Sequence, residues 1–153
     1  MDIVFKNHKN VFNYRVVAVW LEKNHVLLHK ETEDTHWSLP GGRVAMGEES
    51  ISSLKREMME ELGVKVNIKN LLLINENFFS LKSLDFHEIG LYYEVTTDTN
   101  PIFKKGPFYG LEGERLVYQW FPVKEITDLE LYPQEIKEMI LNKPEVTQHL
   151  VSK

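Results

Sequence analysis

Glu57, Glu60 and Glu61 stand at positions i, i+3 and i+4 of a stretch with helical period, so their carboxylates share one face. Neighbouring carboxylates on a helix repel one another by some tenths of a kcal/mol. Three together mean either a solvated face or a cation that neutralises them. An all-oxygen donor set with open positions suits a hard cation such as Mg²⁺ or Mn²⁺. On the helix alone the solvated face is the commoner outcome, but the surroundings weigh against it. Pro40-Gly41-Gly42 precedes the helix, where glycines let backbone approach a ligand, and Arg56 stands beside the carboxylates, able to fix one of them.

These residues need elements to hold them. Ile51, Leu54, Met58 and Leu62 form a narrow apolar stripe at i, i+3, i+7 and i+11, which predicts a helix over 49–62 with Gly63 as its C-cap. Residues 11–30 read as two strands joined by hairpin chemistry at Glu22-Lys23-Asn24-His25. Trp37-Ser38-Leu39-Pro40-Gly41-Gly42 breaks regular structure, with glycines that permit positive φ. Strand-like sequence resumes at Val64. Phe86 to Val95 alternates, with His87 on the more apolar side and Glu88 on the other. Residues 98–114 read as a loop, Arg115 to Val123 as a strand, and Gln134 to Leu141, opened by Pro133, as a second helix. Strands interleaved with two helices predict an α/β (α+β) chain in which a mixed sheet packs helices on its faces.

Composition limits the remaining choices. A chain of 153 residues suits one domain, taken as residues 1–153. With no cysteine there is no disulfide framework, thiolate metal site or cysteine nucleophile. The net charge of -5 argues against binding duplex nucleic acid. The longest apolar run, Val16 to Leu21, is far short of a membrane span, and the N-terminus lacks a signal-peptide core. The expectation is a soluble, cytoplasmic protein. Between Glu48 and Glu61 lie five acidic and two basic residues, so that stretch carries -3 of the -5.

The pattern Gly42, five residues, Glu48, seven residues, Arg56-Glu57, two residues, Glu60-Glu61, one residue, Gly63-Val64 resembles the signature of the Nudix hydrolase family, of which MutT is the founder, without departures. Seven fixed identities match by chance on the order of 10⁻⁹ per register. Trp37 to Gly42 ahead of it and Trp120-Phe121-Pro122-Val123-Lys124-Glu125-Ile126 behind it also look like the family. The resemblance implies the Nudix fold, a mixed sheet sandwiched between helices. It implies cleavage of a nucleoside diphosphate linked to a moiety X, here a small nucleotide such as a nucleoside triphosphate, an oxidised nucleotide or a nucleotide sugar. It further implies that Glu57, Glu60, Glu61 and the Gly41 carbonyl hold Mg²⁺ or Mn²⁺, that Arg56 orients the glutamates, and that Gly42, Glu48 and Gly63 support the loop and helix. Homodimers are common in such proteins.

The same resemblance implies a general base, or an extra metal ligand, from the loop before the last strand, where Glu112 is the first candidate and Glu114 the second, with Glu88 on its strand third. Arg43 and Arg15 are candidates for substrate phosphate, because the guanidinium fork matches phosphate oxygens. Lys104-Lys105 with Phe103, Phe108 and Tyr109 could cover a nucleobase or form a plain surface loop. The six histidines show no metal-ligand spacing, and His87 reads as a core residue. The alternative function is a catalytically silent Nudix-fold module that senses a nucleotide, against which the intact glutamate set argues.

Overall fold

The structure, a computed structural model, describes residues 1–99 and 103–153. Part of the expected 98–114 loop, residues 100–102, therefore lies outside the described residues. Among the described residues the strands are β1 (Val4–Asn7), β2 (Asn10–Glu22), β3 (His25–Glu31), β4 (Gly41–Arg43), β5 (Asn67–Leu81), β6 (Leu84–Thr96), β7 (Phe108–Gly110), β8 (Gly113–Pro122) and β9 (Gln148–Ser152). The helices are α1 (Ser50–Leu62) and α2 (Ile136–Leu141), with a 3-10 turn at Val123–Asp128.

The strands form a mixed sheet in the order β7-β8-β3-β2-β6-β5-β9, with β1 and β4 also paired to β2. β2 lies parallel to β6, and β2–β3 is the expected hairpin, its two turn residues Lys23 and Asn24 both at positive φ. The hairpin pairing covers only Leu21↔Val26 and Glu22↔His25. Farther down the same edge β2 pairs instead with β4 and β1. The divergence of β3 and β8 from β2 opens a cleft of about 960 Å³.

Each face of the sheet is covered by a helix, as expected. On one face Leu54, Met58 and Leu62 of α1 pack with Val16, Ala18, Trp20, Tyr118 and Trp120. On the other, Ile136, Met139 and Ile140 of α2 and Ile126 pack with Val17, Val19, Leu28 and Tyr92. No helix among the described residues is long and apolar enough to cross a membrane.

Several local expectations are corrected. Ile51, at the open start of α1, is exposed and takes no part in the buried stripe. β5 begins at Asn67, not Val64, and β7 lies within the stretch expected as loop. The second helix starts at Ile136, so Pro133 precedes it rather than opening it. His87 is exposed, with its ring between those of Phe12 and Phe78. Gly41 and Gly42 do not adopt positive φ; they belong to β4. Their smallness serves close approach instead. A Cβ on Gly41 would lie 2.1 Å from the Val16 carbonyl oxygen. Gly41→Ala is therefore expected to cost about 3 kcal/mol by forcing β4 off β2. Urea denaturation measures this, and an unchanged midpoint would contradict it.

Candidate active site

The Gly42–Val64 segment folds as a strand, a loop and a helix that Arg56 ties together. Its Nε–H donates to both Glu48 carboxylate oxygens at 3.1 Å and its Nη2–H to Glu48 Oε1 at 3.0 Å. Nη1–H donates to Glu57 at 3.1 Å and to Glu60 at 3.2 Å. Ser53, buried in the first turns of α1, donates its hydroxyl to Glu48 at 2.8 Å. The Arg56 and Ser53 hydrogen bonds hold the Glu48 carboxyl below the usual carboxylate range. One guanidinium thus joins the loop carboxylate to two helix carboxylates. Gly63, at φ 67°, ends the helix with its N–H donating to the Met59 carbonyl.

Lysine carries the same charge but offers three donors from a single point, whereas the Arg56 guanidinium makes its five hydrogen bonds from a planar fork. Arg56→Lys is expected to cost about 1–3 kcal/mol, between the values of exposed and buried pairs. Chemical denaturation checks this, and wild-type stability would mean the network contributes no more than surface pairs do.

The three helix glutamates differ in burial: Glu60 is exposed, Glu57 half-buried and Glu61 buried. Glu57 lies against β4, where a Cβ on Gly42 would fall 2.3 Å from its carboxyl carbon. Burial lifts the Glu57 carboxyl above its usual range, with Arg56 opposing. Glu61 is pushed up to about 7, by burial first and then by the Glu57 charge, while a hydrogen bond from the Tyr118 hydroxyl at 3.2 Å acts in the other direction.

Among the described residues no three His, Cys, Asp or Glu side chains are grouped so as to hold a metal ion. Glu57 and Glu60 are instead turned toward Arg56. The donor set nevertheless fits a hard cation, because it is all oxygen and includes two crowded, partly desolvated carboxyl groups. A cation would offset the cost that raises Glu57 and Glu61.

The glutamate face meets the cleft at Gly41 and Glu61, and Arg15 lines the same wall with its Nη2–H donated to the Leu39 carbonyl at 3.3 Å. Arg43, opposite Arg15 in the β4–β2 register, is not part of the cleft lining. Glu112 is exposed on the β7–β8 turn. The Leu111 N–H donates to the Glu61 carbonyl at 2.7 Å, and Gly110 lets the turn approach, since a Cβ there would lie 2.4 Å from that oxygen. The Glu112 charge is felt at Glu61. Glu114 is exposed, its backbone carbonyl accepting from the Thr32 hydroxyl. Glu88 is buried in the cleft wall.

Phe103 does not face the cleft. It packs on Trp120 and His25 near the β2–β3 turn, with the Lys23 ammonium over its ring. Sequence reading missed Tyr118, whose hydroxyl reaches Glu61, and His29. His29 is buried in the cleft wall with Nδ1 unpartnered among the described residues, and burial with nearby Arg15 and Arg115 lowers it to about 3. No spacing signal links these residues to α1, because strand pairing brings them together.

The sequence profile of the NUDIX domain matches residues 12–142. The chain belongs to the Nudix family. Within that family of hydrolases it is similar to an 8-oxo-dGTP diphosphatase of Buchnera aphidicola subsp. Schizaphis graminum, 29% identical over 109 residues that span 69% of this chain and 73% of the relative. It is also similar to the mRNA-decapping enzyme subunit 2 of Saccharomyces cerevisiae, at 24% identity over 90% of this chain but only 13% of that protein. Among solved structures the MutT protein of Bacillus halodurans superposes with a TM-score of 0.62 at 18% identity, over 90% of this chain and 89% of that one. That likeness gives the mixed α+β Nudix fold.

Proposed function

We propose that this Nudix protein is a divalent-metal-dependent pyrophosphohydrolase acting on a small nucleotide, a nucleoside diphosphate linked to a further moiety. The observation that carries the reading is the glutamate face of α1, held by Arg56 and meeting the large cleft at Glu61 and Gly41. Glu57, Glu60, Glu61 and the Gly41 carbonyl would hold Mg²⁺ or Mn²⁺. When bound, such a cation offsets charge on the phosphates and lowers the pKa of a coordinated water.

The chain's own residues do the rest. Arg56 keeps Glu57 and Glu60 from drifting apart, and Gly42 gives the Glu57 carboxyl its seat against β4. Arg15 is placed to meet a phosphate oxygen from the cleft wall, a role the geometry supports less for Arg43. Glu112 would accept the proton of the attacking water; it does not line the cleft itself, and the reading is supported by the tie of its turn to α1 through the Leu111 N–H on the Glu61 carbonyl. The 8-oxo-dGTP activity named for the Buchnera relative supports a nucleotide substrate.

Phosphate or pyrophosphate release over a panel of nucleoside triphosphates, oxidised nucleotides and nucleotide sugars, with Mg²⁺ or Mn²⁺, tests the reading. Turnover of at least one member that stops with a chelator is expected. No turnover of any member would favour a silent nucleotide-sensing module.

A further inference from the structure

Glu61 is the most buried of the three helix glutamates, and the β7–β8 hairpin holds it at both ends. Its backbone carbonyl accepts from the Leu111 N–H at 2.7 Å, and its Oε2 accepts from the Tyr118 hydroxyl at 3.2 Å. The other oxygen, Oε1, is neither buried nor hydrogen-bonded among the described residues. Glu61 lines the cleft, so one oxygen is tied back and the other is open.

The Tyr118 ring is fixed by its neighbours. In the strand register it stands opposite His29 of β3 and Phe108 of β7. Its ring lies between theirs, at centroid distances of 5.6 Å and 6.0 Å, and is buried. Gly110 leaves room for it, since a Cβ there would fall 2.9 Å from Tyr118 Cε1. A ring packed on three sides keeps its hydroxyl at one point.

The same arrangement recurs across the glutamate face. Arg56 Nη1–H donates to Glu57 Oε1 and Glu60 Oε2, so each of the three carboxylates has one oxygen engaged by a donor. The second oxygen of each accepts no hydrogen bond among the described residues. The face therefore offers single oxygens rather than pairs. Arg56 arranges two of them with a charged group, and Tyr118 arranges the third with a neutral one.

We propose that Tyr118 is a positioning residue that makes Glu61 a one-oxygen ligand and so biases the site toward Mg²⁺ and against Ca²⁺. Mg²⁺ demands a compact octahedron and keeps several waters, so single oxygens serve it. Ca²⁺ takes more oxygens in looser geometry and accepts both from one carboxylate. Removing the hydroxyl frees Oε2, which lets Glu61 offer both oxygens to the larger ion. The smaller ion gains nothing from the second oxygen and loses the fixed orientation of the first.

The inference rests on the reading that Glu61 holds a divalent cation, and cation binding without substrate separates the two. Free Mn²⁺ gives a paramagnetic resonance signal that is lost on binding, and Mg²⁺ or Ca²⁺ restores it by competition. Glu61→Gln should bind Mn²⁺ at least about 10-fold more weakly than wild type. In Tyr118→Phe, which keeps the ring and its packing, Mg²⁺ affinity should fall about 10–100-fold, the loss typical of an outer partner. Ca²⁺ affinity should hold or rise, so the ratio of Mg²⁺ to Ca²⁺ affinity falls by about 10-fold or more. On whichever nucleotide is cleaved, the Mg²⁺ concentration for half-maximal rate should rise by a similar factor, with kcat at saturating Mg²⁺ nearly unchanged.

Tyr93→Phe is the control. Tyr93 is also buried against α1, but its hydroxyl meets Ser50 at the start of the helix, at 2.8 Å. It should bind all three ions as wild type does. Equal loss of Mg²⁺ and Ca²⁺, no change in either, or the same shift in Tyr93→Phe would overturn the proposal. If Glu61→Gln loses Mn²⁺ while Tyr118→Phe keeps the wild-type selectivity, the metal reading stands and only this inference fails. Mn²⁺ binding that is absent from wild type, or left intact by Glu61→Gln, would sink the metal reading of Glu61 and the inference with it.

Discussion

Glu61→Gln is expected to lower metal-dependent turnover by a factor on the order of 10³ or more while making the metal-free protein more stable at neutral pH. Losing an outer partner of a metal site costs about 10–100-fold, and a ligand stands one step closer. The amide keeps the size of the side chain and can still accept from Tyr118, so the fold is retained. The gain in stability follows from burial. Folded Glu61 keeps its proton up to about pH 7, whereas its ordinary value is 4.5. Folding then takes up a proton between those values. The stability linked to Glu61 is full below about pH 4.5 and declines as pH rises toward 7, by at most about 1.4 kcal/mol per unit.

Thermal unfolding of wild type and Glu61→Gln from pH 4.5 to 7.5 with a chelator present measures this, and added Mg²⁺ should raise the wild-type Tm at the upper end. Retention of activity within about 10-fold would remove Glu61 from the metal site. An identical pH slope in the two proteins would mean that Glu61 ionises at its ordinary value.

The residues legible in the sequence are those whose partners are close along the chain. Leu54, Met58 and Leu62 repeat at helical spacing because one helix face meets one sheet face, so α1 and its Gly63 cap could be read locally. Arg56 reaches Glu57 and Glu60 within the same helix. Gly41 and Gly42 were legible as glycines that matter, but for the wrong cause. A turn was the local explanation, whereas the cause is the Val16 carbonyl and the Glu57 carboxyl, supplied by elements distant in sequence or visible only once β4 docks.

Of the cleft, Gly41, Glu61, Arg15 and Glu88 were legible as single residues, but not the way they come together. Its floor joins Asn13, Glu88, Asn77 and Ser152 through parallel and antiparallel pairings across four strands, and no periodicity in one strand encodes which neighbour it will meet. β9 escaped notice for the same reason: a five-residue strand acquires its meaning from the β5 edge it covers. His87 shows the converse. Alternation placed it on the more apolar side of its strand, yet α1 covers only part of that face, so the ring is left exposed between Phe12 and Phe78.

Glu112→Gln is expected to lower kcat by about 10²–10⁴-fold with little change in stability, the range for losing a positioned general base. Its side chain is exposed on the β7–β8 turn, so no packing is lost. The turn itself is held by backbone, through the Leu111 N–H on the Glu61 carbonyl, and does not depend on the carboxylate. Glu114, two residues on, serves as the internal control. Its backbone carbonyl accepts from Thr32 while its side chain stays exposed, so Glu114→Gln should leave the rate near wild type. In the proposed mechanism Glu61 and Glu112 serve one reacting centre, and the Glu112 charge bears on the Glu61 carboxyl. Residues that work as a unit are non-additive, and Glu61→Gln combined with Glu112→Gln should lose little more than the worse single variant. Fully multiplicative losses would place Glu112 outside the reacting centre, and a near-normal rate in Glu112→Gln alone would pass the base to Glu57 or Glu88.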